Sequence, residues 1–241
     1  MVKVSKTSKL DGIMSWSLPA LETCPGASGA EACKGCYATT GRYLFGPVKA
    51  VRQFNKEDWK RPEWVDEMIQ ALKGKPYFRW LDSGDLYHVD LAVKVYQVML
   101  GTPSTKHWLP TRMHKFTKFQ AILAAMQLLP NVKVRYSSDS VTGEFNDLNG
   151  STIIPSADAA PEGVHVCRAY ENGGKCSGCR ACWDKDVKVV AYVAHGAKMT
   201  KVIRLQPKMV TRKNLMTGKE YQEDENTPLS CSPASETYWS M

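Results

Sequence analysis

The stretch Tyr77–Tyr136, YFRWLDSGDLYHVDLAVKVYQVMLGTPSTKHWLPTRMHKFTKFQAILAAMQLLPNVKVRY, decides the fold. Tyr77 to Leu81 reads as a strand. Val89 to Leu100 is apolar on nearly every side and reads as a buried helix. Lys106 to Arg112 is a second strand. Phe116 to Leu129 is a second helix, with Phe119, Ile122, Leu123 and Met126 on one face and Pro130 as its stop. Val132 to Tyr136 is a third strand. Strand–helix–strand–helix–strand alternation implies parallel pairing and an α/β fold.

Upstream, Arg61 to Gly74 reads as a helix, with Pro62 in its first turn and Trp64, Val65, Met68, Ile69 and Leu72 on one face. Downstream, strands are expected at Thr152–Ile154, Val164–Val166, Val187–Val193 and Lys201–Leu205, and from Asn214 the chain is polar and loosely ordered. A closed eight-unit barrel takes ~250 residues with little else. The expectation is therefore a partial (βα) barrel-like parallel sheet with a cysteine-rich C-terminal extension. Residues 1–160 would form the core with an N-terminal three-cysteine loop, 161–213 a second metal site packed on it, and 214–241 a polar tail.

Sheets of this kind bind ligands at the carboxyl ends of their strands. Three polar clusters fall there: Asp82-Ser83-Gly84-Asp85, Thr111-Arg112 and Ser137-Ser138-Asp139-Ser140. Ser83, Gly84, Asp85, Ser137 and Asp139 are the candidate cofactor-binding residues. The alternative is an ordinary strand-end turn, with Ser83 or Asp85 capping the helix from Val89. His88, His107 and His114 are single and read as surface or packing residues. Tyr37, Tyr43, Phe45 and Trp59 either stack nucleic-acid bases or pack around the cysteine loop.

The chain has 241 residues, 43% of them apolar, enough for a globular core. The longest helix-like apolar stretch, Phe119 to Leu129, is short and interrupted by Gln120 and Gln127, so no membrane span is expected. Met1 to Leu10 is basic but is not followed by an apolar segment, which argues against a signal peptide. In a cytoplasmic setting eight cysteines read as metal ligands or reactive thiols rather than disulfides. A net charge of +8 suits a nucleic-acid or nucleotide partner, but the Lys and Arg residues are dispersed, which equally suits a solvated surface.

Seven cysteines form two constellations. Cys24, Cys33 and Cys36 make the first; the Cys33-Lys34-Gly35-Cys36 turn lets two thiolates grip one metal or cluster, and Gly26 to Ala30 brings Cys24 in. Structural zinc closes its shell with four ligands, and no histidine precedes His88 to complete this one locally. Three thiolates on a [4Fe–4S] cluster leave one iron open; a zinc knuckle finished by a distant residue is the alternative. Cys167, Cys176, Cys179 and Cys182 make the second. A C-x2-C-x2-C run is also used by bacterial ferredoxins, whereas zinc ribbons prefer two separated pairs; a closed zinc site stays open as the alternative. Arg168, Lys175 and Arg180 offset the thiolate charge.

Ser15-Trp16-Ser17-Leu18-Pro19-Ala20, Thr23-Cys24-Pro25, Cys33-Lys34-Gly35-Cys36-Tyr37-Ala38 and Cys176-x2-Cys179-Arg180-Ala181-Cys182-Trp183 resemble the phage gene-product-88-like proteins. That resemblance implies a phage origin and host cytoplasm, and carries no activity. More remotely, a three-cysteine loop leading into a partial βα barrel is similar to radical S-adenosylmethionine (SAM) enzymes. This implies that Cys24, Cys33 and Cys36 ligate a cluster whose open iron takes SAM, with Ser83-Gly84-Asp85 near its amino group. The gap between Cys24 and Cys33 is longer than the common three-residue gap, and Tyr37 follows the third cysteine rather than preceding it.

The sequence thus supports an iron–sulfur enzyme with two [4Fe–4S] clusters and SAM, of unknown substrate. The other reading is a non-catalytic zinc or iron–sulfur protein that binds nucleic acid or a host protein. Cys231 is left over from a three-plus-four arrangement. Cys231→Ser should leave iron and zinc content unchanged by elemental analysis; loss of metal from the first site would mean that the site is closed.

Overall fold

The strand–helix alternation becomes a sheet whose spatial order equals its sequence order. The computed structural model describes residues 1–145, 149–207, 209–213 and 217–225. In chain order the elements are β1 (Ser5–Lys6), β2 (Met14–Trp16), α1 (Glu31–Lys34), α2 (Gly46–Asp58), α3 (Trp64–Leu72), β3 (Tyr77–Trp80), α4 (Val89–Gly101), β4 (Lys106–Thr111), α5 (Thr117–Leu128) and β5 (Val132–Tyr136). They continue with β6 (Ser151–Ile154), β7 (His165–Cys167), β8 (Val190–Val193), α6 (Ala197–Arg204), β9 (Met209–Lys213) and β10 (Glu220–Asp224). The main sheet runs β1-β2-β3-β4-β5, antiparallel only between β1 and β2. A second, wholly parallel sheet runs β6-β8-β7, and one parallel bridge between Ser137 and Ser151 links it to the end of β5. Sequential order without reversal is the order of barrel sheets, not of doubly wound ones.

Side chains alternate across each strand. Phe78, Trp80, Leu109, Val132 and Val134 point to one face, where α3 brings Trp64, Met68 and Leu72, α4 brings Leu91, Val95, Val98 and Met99, and α5 brings Phe119, Leu123 and Met126. Parallel crossovers are right-handed, which puts all three helices on this side. Trp16, Trp64 and Trp80 meet at its centre with ring centroids 5.4 to 6.4 Å apart. The start of α4 is capped by His88, whose Nδ1 accepts from the Asp90 amide at 3.2 Å, and not by Ser83 or Asp85.

His107 is buried in this face. Its Nδ1 accepts from Trp80 Nε1 at 3.2 Å, and indole is only a donor, so the neutral ring carries its proton on Nε2. That proton goes to Thr102 Oγ1 at 2.9 Å, and Thr102 donates on to Val98 O at 2.6 Å. Burial pushes the His107 pKa down to about 4 from 6.5, with the Thr102 bond opposing.

The opposite face carries Tyr77, Arg79, Trp108, Lys133 and Arg135, and irregular backbone covers it. Arg135 is fully buried and donates to six main-chain carbonyls: Cys182 (3.0 Å), Gly150 (3.3 Å), Lys188 (3.2 Å), Ala181 (2.6 Å), Asp184 (3.2 Å) and Val187 (3.1 Å). Lys133, 1% exposed, donates to Asn149 Oδ1 and Lys185 O, both at 3.0 Å. Trp183 packs edge-on against Tyr77 and Trp108 and donates to Phe78 O at 2.8 Å.

The chain divides into two units, Met1–Ile203, which carries both cysteine sets, and one from Arg204. Two expectations need correction. Lys201–Leu205 is not a strand: Ala197–Arg204 is a helix, because Met199, Val202 and Ile203 recur at helical spacing and bury a common stripe against Ala32 and Val141. The segment from Asn214 is not wholly loose, since Glu220–Asp224 pairs antiparallel with Met209–Lys213. Cys231 lies outside the described residues. No described helix is long and apolar enough to cross a membrane.

Two stability predictions follow from the buried polar groups. Because the folded pKa of His107 lies below its unfolded value, its contribution is complete above about pH 6.5 and is lost as pH falls toward 4. Urea unfolding should show the parent losing about 2 kcal/mol more than His107→Gln between pH 7 and 4.5. Arg135→Met should cost roughly 3–5 kcal/mol in the same assay, because six main-chain acceptors, most of them part-buried, lose a buried charged donor; a cost below 1 kcal/mol would contradict the carbonyl cage.

Candidate metal centres

The first cysteine set stands on the loop that leaves β2. Beyond Trp16 the backbone is tied to the carboxyl end of β3: the Leu18 amide donates to Ser83 O at 3.0 Å and the Asp85 amide to Thr23 O at 2.9 Å. Asn55 of α2 holds Ser17 O at 3.0 Å, and the Ala32 amide reaches Asp139 O beyond β5 at 2.9 Å. Tyr37, directly after Cys36, donates to Asp82 O at 2.7 Å. The loop is therefore stitched across the carboxyl ends of β3 and β5. Gly26 allows a close pass over the end of β4, where a Cβ would stand 2.6 Å from Arg112 Cβ.

Cys24, Cys33 and Cys36 are each partly buried and lie within electrostatic reach of one another. Burial pushes the Cys24 thiol up to about 12, with Asp85, Cys33 and Cys36 adding to the shift. Burial also raises Cys33, against the opposing charge of Arg112.

The sequence-predicted polar residues divide into two groups. Asp85 and Asp139 lie beside the thiols. Asp85 is turned inward: Oδ1 accepts from the Leu86 amide (2.8 Å) and Thr111 Oγ1 (2.6 Å), Oδ2 from the Arg112 amide (2.9 Å), and burial raises its pKa. Asp139, 38% exposed, pairs with Arg112 Nε at 3.2 Å and with Lys115. Ser83 and Gly84 serve the scaffold instead. Ser83 Oγ donates to Leu18 O at 2.7 Å and accepts from Arg52 Nε. Gly84, at φ +77°, lies where a Cβ would stand 2.5 Å from Leu18 Cβ. Ser137 donates its amide to Thr111 O at 2.9 Å and forms the bridge to Ser151.

The second set is gripped by the turn that enters β2. The Cys176 amide donates to Lys9 O at 2.8 Å, and Asp11 Oδ2 accepts from the Gly178 amide (3.0 Å) and Arg180 (2.8 Å). Cys167 ends β7, and its electrostatic neighbours include Cys176 and Cys182. Burial pushes Cys182 up to about 11, against the Tyr192 hydroxyl 3.2 Å from its sulfur and the charge of Arg135. Burial likewise raises Cys176. His165 Nε2 lies 3.7 Å from Cys179 Sγ; burial first, then Arg135 and Arg168, lower its pKa.

Sequence reading missed His165 and Tyr192. The period of two along β7 offered the only signal for the former, since it places His165 and Cys167 on one face. Among the described residues, no group of three Cys, His, Asp or Glu side chains is placed to hold a single metal ion.

Fold and sites together define a mixed α/β protein with two sets of mostly half-buried thiols, one across the carboxyl ends of its parallel strands and one under the turn that enters β2. The chain belongs to the Gene product 88 family, a phage-derived family whose model matches residues 2–198 and so spans both cysteine sets. No curated protein and no solved structure matches it.

Gly84→Ala should push the loop off β3 and expose Cys24, so that iodoacetamide labels Cys24 in the metal-free protein at least tenfold faster, by mass spectrometry. Gly12→Ala, also at positive φ but with open space around it, is the control and should leave the rate unchanged.

Proposed function

We propose that this is an iron–sulfur protein acting as a radical-SAM-like enzyme in the host cytoplasm. The observation that carries the reading is the placement of three neighbouring thiols from one loop across the carboxyl ends of a barrel-ordered parallel sheet, where such sheets bind ligands. The donor set fits a thiolate-bound cluster. Cys24 and Cys33 are desolvated thiols that ligation would deprotonate, Cys36 lies within their electrostatic reach, and Arg112 stands by to offset the charge. Cys167, Cys176, Cys179 and Cys182 would hold a second, closed cluster, with zinc as the alternative.

Held by Cys24, Cys33 and Cys36, a cluster would supply the electron for reductive cleavage of a carbon–sulfur bond of SAM to methionine and a 5′-deoxyadenosyl radical. The residues of the chain bind and orient. Asp139 presents the more accessible carboxylate for an ammonium, while Asp85 fixes the Thr111–Arg112 turn that carries Arg112 to the site. The net charge of +8 suits a nucleotide or nucleic-acid substrate, and a host protein is the other candidate partner.

The test is anaerobic reconstitution, dithionite reduction and chromatography after SAM addition. 5′-Deoxyadenosine should accumulate, and Cys33→Ala should abolish it. Asp139→Asn should weaken SAM binding by roughly 10- to 150-fold, the worth of one charge-assisted hydrogen bond. No 5′-deoxyadenosine, together with no change in the cluster's electron paramagnetic resonance on adding SAM, would move the protein to the binding class.

A further inference from the structure

Two buried donors on the cationic face of the sheet have no acceptor among the described residues: Arg79 Nε and Trp108 Nε1. Arg79 is 8% exposed and Trp108 4%. They are neighbours, with the Arg79 guanidinium 4.4 Å above the Trp108 ring. The rest of Arg79 is engaged: Nη1 pairs with Asp82 Oδ1 at 2.9 Å, and Nη2 donates to Tyr37 Oη at 3.3 Å. Trp108 belongs to a buried cluster with Leu10 and Trp183, against which Cys176, Cys182 and Tyr192 pack. Arg79 also acts electrostatically on Cys182 and Tyr192.

Buried N–H groups are almost always paired, so two orphans in one region, with Cys176 and Cys182 packed against the Trp108 cluster and Cys182 within electrostatic reach of Arg79, call for an acceptor there. Lone water would suit them poorly, since Trp183, Tyr77 and Leu10 wall the region with apolar surface. Sulfur atoms of a metal–thiolate centre are anionic, polarisable acceptors. Hydrogen bonds to the sulfurs of an iron–sulfur cluster help set its reduction potential.

We infer that Arg79 and Trp108 donate hydrogen bonds to sulfur atoms of the centre held by Cys167, Cys176, Cys179 and Cys182, and that they set its reduction potential. This rests on the reading of that centre as an iron–sulfur cluster. Both are positioning and tuning residues, not ligands. Neither is adjacent to a cysteine in sequence; the alternation of β3 and β4 brings them to the face on which the cysteine segment lies.

The experiment uses the full chain in a Cys33→Ala background, so that the second centre dominates the signal. Trp108→Phe keeps the aromatic packing and removes the donor; Arg79→Lys keeps the charge and removes Nε. Iron and sulfide per chain should be unchanged. A redox titration followed by electron paramagnetic resonance should show reduction disfavoured about tenfold in Trp108→Phe, a fall of about 59 mV for a one-electron couple, and a fall of the same sign in Arg79→Lys. In the parent loaded with ¹⁵N-indole tryptophan, electron–nuclear double resonance should detect the Trp108 nitrogen and its exchangeable proton coupled to the reduced cluster. That measurement decides the matter even if a variant fails to fold. Unchanged potentials in both variants, or no ¹⁵N coupling in the parent, would overturn this inference alone. A second site that loads zinc and no iron would overturn the proposed cluster, and this inference with it.

Discussion

Arg135 is the constraint on which the rest depends. The cysteine segment over the sheet is irregular backbone, and irregular backbone buried in protein leaves carbonyl oxygens with nowhere to go. Only a guanidinium offers five donors in one rigid plane, so a single side chain can gather acceptors from several turns at once. Arg135 does this for Ala181, Cys182, Asp184, Val187 and Lys188, and adds Gly150 at the approach to β6. One strand residue thus joins the main sheet, the second sheet and the backbone that carries Cys182.

This arrangement gives the sheet two unlike faces. The helix-covered face is packed by apolar side chains and a tryptophan cluster, with His107 held neutral inside it. The other face is lined with cations and aromatics, which suit a covering layer made of carbonyls, indole edges and thiols. A buried cation is stable there because main-chain oxygens surround Arg135 and a carboxylate meets Arg79.

At the carboxyl ends, polar residues that resemble ligands also do structural work. Asp85 closes the β4 turn on β3, and Ser83 clamps the backbone leaving β2. Both keep the three-cysteine loop in place, so a site built from a flexible-looking Gly/Ala/Ser stretch rests on rigid strand ends. The same stitching explains why glycine is required at Gly26 and Gly84, where backbone of one element lies against another.

The alternation from Tyr77 to Tyr136 was legible because helix and strand periods are local properties, and the α/β class and the parallel core follow from them. The cysteine constellations were legible for the same reason: their spacing is covalent. Other features were beyond local reading. Lys133 and Arg135 in the strand Val132–Tyr136 look like a solvated edge by composition, yet both are buried. The three-residue strand β2 is too short to show a period, yet it places both cysteine sets. The helix Ala197–Arg204 passed for a strand because its apolar stripe is completed only by Ala32 and Val141. His165 and Tyr192 join the second site only through the pairing of β7 with β8, where Cys167 lies opposite Tyr192. The sequence by itself determined the fold class and the thiol inventory. Which polar side chains stitch the scaffold and which face the thiols was decided by tertiary structure, because burial and pairing depend on elements far apart in the chain.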